Sequence, residues 1–208
     1  MSPKSKPRVA NLERNSKETE IKVELNVDGA GKTKIKTPLE LLSHMLDLFA
    51  FHGYFDLTLD VKKADTAVDI HHTNEDIGIV LGKIFKKALG EREGIRRFGL
   101  ACAPMESTLA QTVIDLSGRG YLTLTIDDTK KTVVQDHEGY AFTYLEHFLE
   151  SFAHNLGATI NIRISNPSED LHTNLETVFK SLGLALDQAT QIDPRRSNAV
   201  PSTKGIID

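Results

Sequence analysis

The chain has one cysteine, Cys102, no tryptophan, and aromatic side chains at only 6% of its 208 positions. A single thiol excludes an intramolecular disulfide framework and any thiolate-clustered zinc site. No apolar run approaches the ~20 residues that span a bilayer, so a membrane-embedded protein is not expected. Neither sign of charge dominates. Against 25 Lys and Arg stand 29 Asp and Glu, and a net charge of −4 argues against a nucleic-acid coat or a membrane-surface anchor. The stretch 1–8 is polar and basic with no apolar segment behind it, unlike a secretory signal. A reducing cytoplasm is the expected home. The remainder, 39% hydrophobic and 26% charged, is an ordinary globular composition for one large domain or two halves sharing a core.

Against these absences stand eight histidines: His44, His52, His71, His72, His137, His147, His154 and His172. Two are adjacent, in His71-His72-Thr73-Asn74-Glu75-Asp76. Without a thiolate cluster, a metal site here must be built from imidazole and carboxylate, a donor set that suits manganese, iron or zinc.

Hydrophobic periodicity supplies the organisation. Residues 21–27, 55–61 and 160–164 alternate apolar and polar as half-buried strands, and strands are also expected around 109–116 and 121–126. Apolar residues recur at helical spacing over 39–51, 77–89, 142–156 and 175–189, with glycines closing the first three segments. The first dozen residues read as a frayed tail. Helix, glycine, strand and a His-bearing loop into a second helix occur at 39–89 and again at 142–189, roughly one hundred residues apart. The expected fold is α+β, internally duplicated, with sheets packed against helices. Its divisions would be a flexible tail over 1–13, repeats over 14–100 and 101–190, and a C-terminal tail over 191–208.

Both second helices open with related strings, His71-His72-Thr73-Asn74-Glu75 and His172-Thr173-Asn174-Leu175-Glu176. His71 with Glu75, and His172 with Glu176, stand at i and i+4, so each pair shares one helix face and offers a cation an imidazole and a carboxylate. The alternative is a solvated helix start, where acidic residues favour the dipole and Thr or Asn caps the backbone. His44 alone reads as the polar edge of an amphipathic helix, and His147 and His154 as surface residues. Ser117-Gly118-Arg119-Gly120 and Ser202-Thr203-Lys204-Gly205 resemble small-residue loops that set backbone N–H groups beside a cation, as phosphate requires.

Taken together, these strings resemble the imidazoleglycerol-phosphate dehydratase family over about 14–205. Further motifs in the family's order are Gly94-Ile95-Arg96-Arg97-Phe98-Gly99, Pro104-Met105-Glu106, Asp115-Leu116-Ser117-Gly118-Arg119 and Asp193-Pro194-Arg195-Arg196. The resemblance implies a duplicated α/β fold, trimers assembling into a 24-subunit particle, and two manganese ions per active site at subunit interfaces. It implies loss of water from imidazole glycerol phosphate to give imidazole acetol phosphate in histidine biosynthesis. In that reaction the metal-held imidazole ring would act as an electron sink while the side chain attached to it loses a proton and a hydroxyl. By the same matching, His44, His71, His72, Glu75, His172 and Glu176 would be metal ligands and Glu18 the acid/base carboxylate. Arg97, Arg119, Lys180, Ser202 and Lys204 would contact phosphate.

Departures from the family pattern fall in this set. Thr173 stands where a second doubled histidine is expected and Asn161 where a strand-end histidine is expected; Ser43 replaces an aspartate and Leu48 a glutamine. A hydroxyl or amide is a poorer donor than imidazole for a borderline cation, so weakened metal binding is expected. An active dehydratase is the leading expectation. Its rival is a non-catalytic homologue that keeps the assembly and a phosphate site.

Overall fold

The structure, a computed structural model, describes residues 8–127, 136–137 and 139–207. The first half runs β1 (Val9–Asn15), β2 (Glu20–Asn26), β3 (Thr33–Lys36), α1 (Glu40–His52), β4 (Asp56–Lys63) and α2 (Ile70–Leu89). The second runs β5 (Phe98–Met105), β6 (Thr108–Asp115), β7 (Tyr121–Ile126), a short ladder of β8 (Asp136–His137) with β9 (Tyr140–Ala141), α3 (Phe142–Leu156), β10 (Thr159–Ser165) and α4 (Leu171–Thr190). The two four-stranded sheets share one topology, β1-β2-β4-β3 and β5-β6-β10-β7. In each, the first two pairings are antiparallel and the last is parallel. Identical order and sense in both sheets establish the duplication at the level of the backbone.

Within the two four-stranded sheets, two strands enlarge the expected picture and a third replaces an expected tail. Val9–Asn15 form β1 on β2, so residues 9–13 belong to a sheet. As an edge strand, β1 has an outer face in solvent, and Val9 is exposed while Ala10 and Leu12 turn inward. That leaves little apolar signal. β3 is a four-residue edge, and β5 reverses the usual pattern, burying Gly99, Ala101 and Ala103 while exposing Phe98 and Leu100.

Helices α1 and α2 pack on the first sheet, and α3 and α4 on the second. The two helical layers then meet across the halves, α1 against α4 and α2 against α3. Phe49, Phe55, Phe85, Phe148, Phe152 and Phe179 fill the space between them, and removing their apolar area from water supplies much of the driving force. Glycine sets the closeness of both crossings. A Cβ on Gly82 would lie 2.6 Å from the Phe152 carbonyl oxygen, and one on Gly183, its counterpart in the second half, 2.3 Å from that of Phe49. Both long helices begin on an aspartate cap: Asp69 accepts from the His71 N–H at 2.8 Å, and Asp170 from the His172 N–H at 3.1 Å.

Candidate active site

Because the helical layers meet across the halves, each His-x-x-x-Glu pair acquires a histidine from the other repeat. On α4, His172 Nε2 lies 3.0 Å from Glu176 Oε1, and His44 Nε2, from α1, approaches the same oxygen at 3.3 Å. One donor atom from each of these residues falls within 4.8 Å of the others, so a single cation can take all three. Burial pushes the Glu176 carboxyl up, but hydrogen bonds from Lys180, His172 and His44 outweigh it and hold the group down to about 2. Glu176 is therefore ionised and ready to act as a ligand.

The α2/α3 crossing repeats this arrangement with the halves exchanged. His71 Nε2 stands 3.3 Å from Glu75 Oε2, and His71 Nδ1 lies 2.8 Å from His147 Nδ1. His147 is thus half-buried against the doubled histidine, not a surface residue as expected, whereas His154 is exposed. The repeat carried the missed signal: Leu145-Glu146-His147-Phe148-Leu149 restates Leu42-Ser43-His44-Met45-Leu46, with a Phe-Ala pair following each string at the same interval. Here His71 spends both ring nitrogens on different neighbours, so the three donors do not converge on one point as the α1/α4 donors do.

His72 turns away from this cluster. Its Nδ1 lies 3.3 Å from Asp65 Oδ2, and one donor each from His72, Asp65 and Glu18 also fall within 4.8 Å of one another. The hydrogen bond to Asp65, aided by the nearby Glu18 charge, raises the His72 pKa despite desolvation. Thr173, at the matching place on α4, donates its hydroxyl to Asp170 Oδ2 at 3.1 Å and so serves the helix cap. Asn161 lies on the exposed face of β10, opposite buried Ile160 and Ile162. Ser43 shares a 2.9 Å hydrogen bond with Thr37, and Leu48 packs against the core.

A second feature gathers four of the five residues expected at phosphate. Arg97, Arg119, Ser202 and Lys204 line one recess together with Ser117 and Thr203. Arg97 has a left-handed backbone, φ 74°, and its guanidinium is clamped on Asp115 by bonds of 2.6 and 3.1 Å and on the Pro201 carbonyl at 3.0 Å. Ser117 Oγ accepts from the Arg119 N–H at 3.3 Å, and Ser202 Oγ from the Lys204 N–H at 3.2 Å, so both small-residue loops are tight turns. Lys180 does not line this recess. It forms an ion pair with Glu176 at 2.5 Å instead.

A family model described as imidazoleglycerol-phosphate dehydratase matches residues 37–186. The chain belongs to that family. Its relatives include the imidazoleglycerol-phosphate dehydratase of Bacillus pumilus, 46% identical over 202 residues with 96% of this chain and 100% of the relative covered. That of Pelobacter propionicus is 44% identical over 200 residues, covering 96% and 99%. Among solved structures, imidazoleglycerol-phosphate dehydratase from Pyrococcus furiosus matches with a TM-score of 0.77 at 35% identity, over 94% of this chain and 99% of that one. The Staphylococcus aureus dehydratase matches with a TM-score of 0.76 at 27% identity, over 89% and 99%. The dehydratase family match takes in every histidine and glutamate of the two cross-repeat clusters, and the relatives cover 96% of the chain. No helix among the described residues is long and apolar enough to cross a membrane.

Proposed function

We propose that this chain is a metal-dependent, cytoplasmic dehydratase of histidine biosynthesis, converting imidazole glycerol phosphate to imidazole acetol phosphate. The observation that carries the reading is the pair of cross-repeat clusters, each joining a His-x-x-x-Glu helix start to a histidine of the other half. His44, His172 and Glu176 would hold one manganese ion, and His71 with Glu75 would contribute to a second, with His72, whose Nδ1 is bonded to Asp65, offering its Nε2 to a site shared with another subunit. When bound, manganese would supply the positive charge that lets an imidazole ring accept electron density at the reacting carbon.

The protein's own groups would do the rest. Glu18, beside Asp65 and His72, would take the proton from the middle carbon of the side chain, one removed from the ring. The hydroxyl on the carbon next to the ring would leave with a proton as water, and the enol so formed would become the ketone on the middle carbon. Arg97, Arg119, Ser202 and Lys204 would hold the phosphate, two guanidinium groups and a lysine balancing its charge. Lys180, held on Glu176, would reach phosphate only by leaving that ion pair. Self-association into trimers and a 24-subunit particle belongs to the same reading, and the second sheet has a surface suited to it. Its outer face exposes Phe98, Leu100, Leu109, Val113 and Tyr121, whereas the outer face of the first sheet carries Glu13, Lys22, Glu24, Asp60 and Lys62.

One observation favours the rival, a homologue that has lost turnover. The Thr173 hydroxyl, committed to Asp170, leaves the second helix start without the extra imidazole of the first. A dehydratase assay with manganese content measured on the same sample separates the two. The enzyme reading expects turnover in the wild type, and none in Glu18→Gln at unchanged manganese content. An inactive wild type with manganese bound would overturn it.

A further inference from the structure

Asp76 follows Glu75 on α2 and is 5% exposed, yet its carboxylate makes its hydrogen bonds away from the histidines. It accepts from the Thr19 hydroxyl at 2.5 Å and from the Arg14 guanidinium, and Arg14 in turn donates to Thr19 Oγ1 at 3.1 Å. Arg14 stands at the end of β1 and Thr19 just before β2, so both flank the turn that carries Glu18. Within that turn Ser16 Oγ accepts from the Glu18 and Thr19 N–H groups at 3.1 and 3.0 Å. We propose that Asp76 is a positioning residue: through Arg14 and Thr19 it fastens the Ser16–Thr19 turn to the first turn of α2 and holds the Glu18 carboxylate beside His72. The proposal rests on the reading of Glu18 as the proton acceptor.

The duplicated half serves as an internal control. Thr108 occupies the place of Thr19, and Ala103, paired with Ala110 as Arg14 is with Ile21, occupies that of Arg14. Thr177 takes the place of Asp76 and spends its hydroxyl on the Asn174 carbonyl of its own helix, at 2.8 Å. Thr108 donates to the Asn166 carbonyl at 3.0 Å. The second sheet thus has the same strand order with no carboxylate tying its first turn to its helix. Burying a charge is costly unless it is paired, and this fold is built elsewhere without one. The pairing of Asp76 with Arg14 and Thr19 therefore answers to the turn it holds, the one that bears Glu18.

The test is Asp76→Asn, with Thr19→Val as a milder break of the same strut, Thr19→Ser as the conservative variant and Thr108→Val as the counterpart in the other half. Hydrogen exchange of the peptide spanning 14–20 should speed up roughly tenfold in Asp76→Asn and Thr19→Val, as expected for losing one hydrogen bond's worth of closure. It should stay at the wild-type rate in Thr19→Ser and Thr108→Val. In the manganese-loaded protein, kcat should fall by about tenfold or more in the first two variants, with KM and manganese per chain within about twofold of wild type, because a misplaced proton acceptor slows chemistry without weakening binding. Unchanged exchange over 14–20, faster exchange with unchanged kcat, or a matching loss of manganese would each overturn the proposal. An inactive wild type would instead overturn the dehydratase reading, and the exchange rates would still decide whether the strut exists.

Discussion

Gly183→Ala adds one methyl group at the α1/α4 crossing and touches none of the metal-ligand candidates. Its Cβ would lie 2.3 Å from the Phe49 carbonyl oxygen and 3.2 Å from the Gly53 nitrogen, both backbone atoms that no rotamer change can move. Two effects oppose each other. Alanine in a helix gains about 0.5–1 kcal/mol over glycine through the unfolded chain and helix propensity. Overpacking a close helix contact costs about 1–3 kcal/mol, and a backbone clash belongs at the upper end. The net loss should be about 2 kcal/mol, with α1 displaced from α4 by roughly 1 Å to restore ordinary contact. That displacement matters for chemistry, because His44 Nε2 is already 3.3 Å from Glu176 Oε1. It would pass out of hydrogen-bond reach, while His172, on the same helix as Glu176, would stay. Manganese titration, read by the spin-resonance signal of the free ion, should show one site per chain weakened about tenfold and the rest unaltered, as when one supporting contact of a metal site is lost. Urea unfolding at one fixed protein concentration would give the stability. A variant as stable as wild type with both sites intact would refute the argument that this crossing sets the cluster.

Other perturbations act on single groups. Thr173→His should raise manganese affinity or content, read by elemental analysis after anaerobic loading, at a cost of about 1 kcal/mol for the lost bond to Asp170; no change in metal would show that position 173 points at no site. Glu176 has its folded pKa held to about 2 against 4.5 unfolded, so it stabilises the metal-free protein above pH 4.5 and ceases to do so as pH falls toward 2. The difference amounts to roughly 3 kcal/mol, and urea unfolding of wild type against Glu176→Gln across pH 5 to 2 should show it shrinking to nothing. Arg97→Lys keeps the charge but loses the two-pronged grip on Asp115. It should weaken inhibition by inorganic phosphate about tenfold with manganese content unchanged, and equal inhibition would remove Arg97 from the anion site.

Legibility in the sequence followed burial. Strands β2, β4 and β10, half-buried with one apolar face, announce themselves by alternation, and all four helices by their apolar stripes. β1, β3 and β5 do not, because all three are edges and β5 also turns its large side chains outward. The His-x-x-x-Glu pairs were readable because i and i+4 meet on any helix. Their third members were harder. That His44 joins Glu176, and His147 joins His71, depends on how helical layers from different repeats stack, and local spacing carries nothing of that. His147 was nonetheless recoverable from the repeat, since its flanking residues restate those of His44. Asp76 was readable only as a neighbour of the doubled histidine; its bonds to Arg14 and Thr19 required the β1–β2 turn to lie over the helix.

The two repeats agree where backbone geometry is decided and differ where chemistry would be done. Both keep an aspartate cap, a His-x-x-x-Glu start, a glycine at the close crossing and one strand order. They part at His72 and Thr173, at Asp76 and Thr177, and at Arg14 and Ala103, and each member of these pairs sits in an equivalent, folded place. Since the architecture forms with either member, folding does not select between them. The first repeat therefore holds the doubled histidine, the anchored turn and Glu18, and the second supplies His147 and the α4 end of the other cluster. Neither repeat alone could assemble either His-x-x-x-Glu cluster at the helical seam, because each of the two draws a histidine across it.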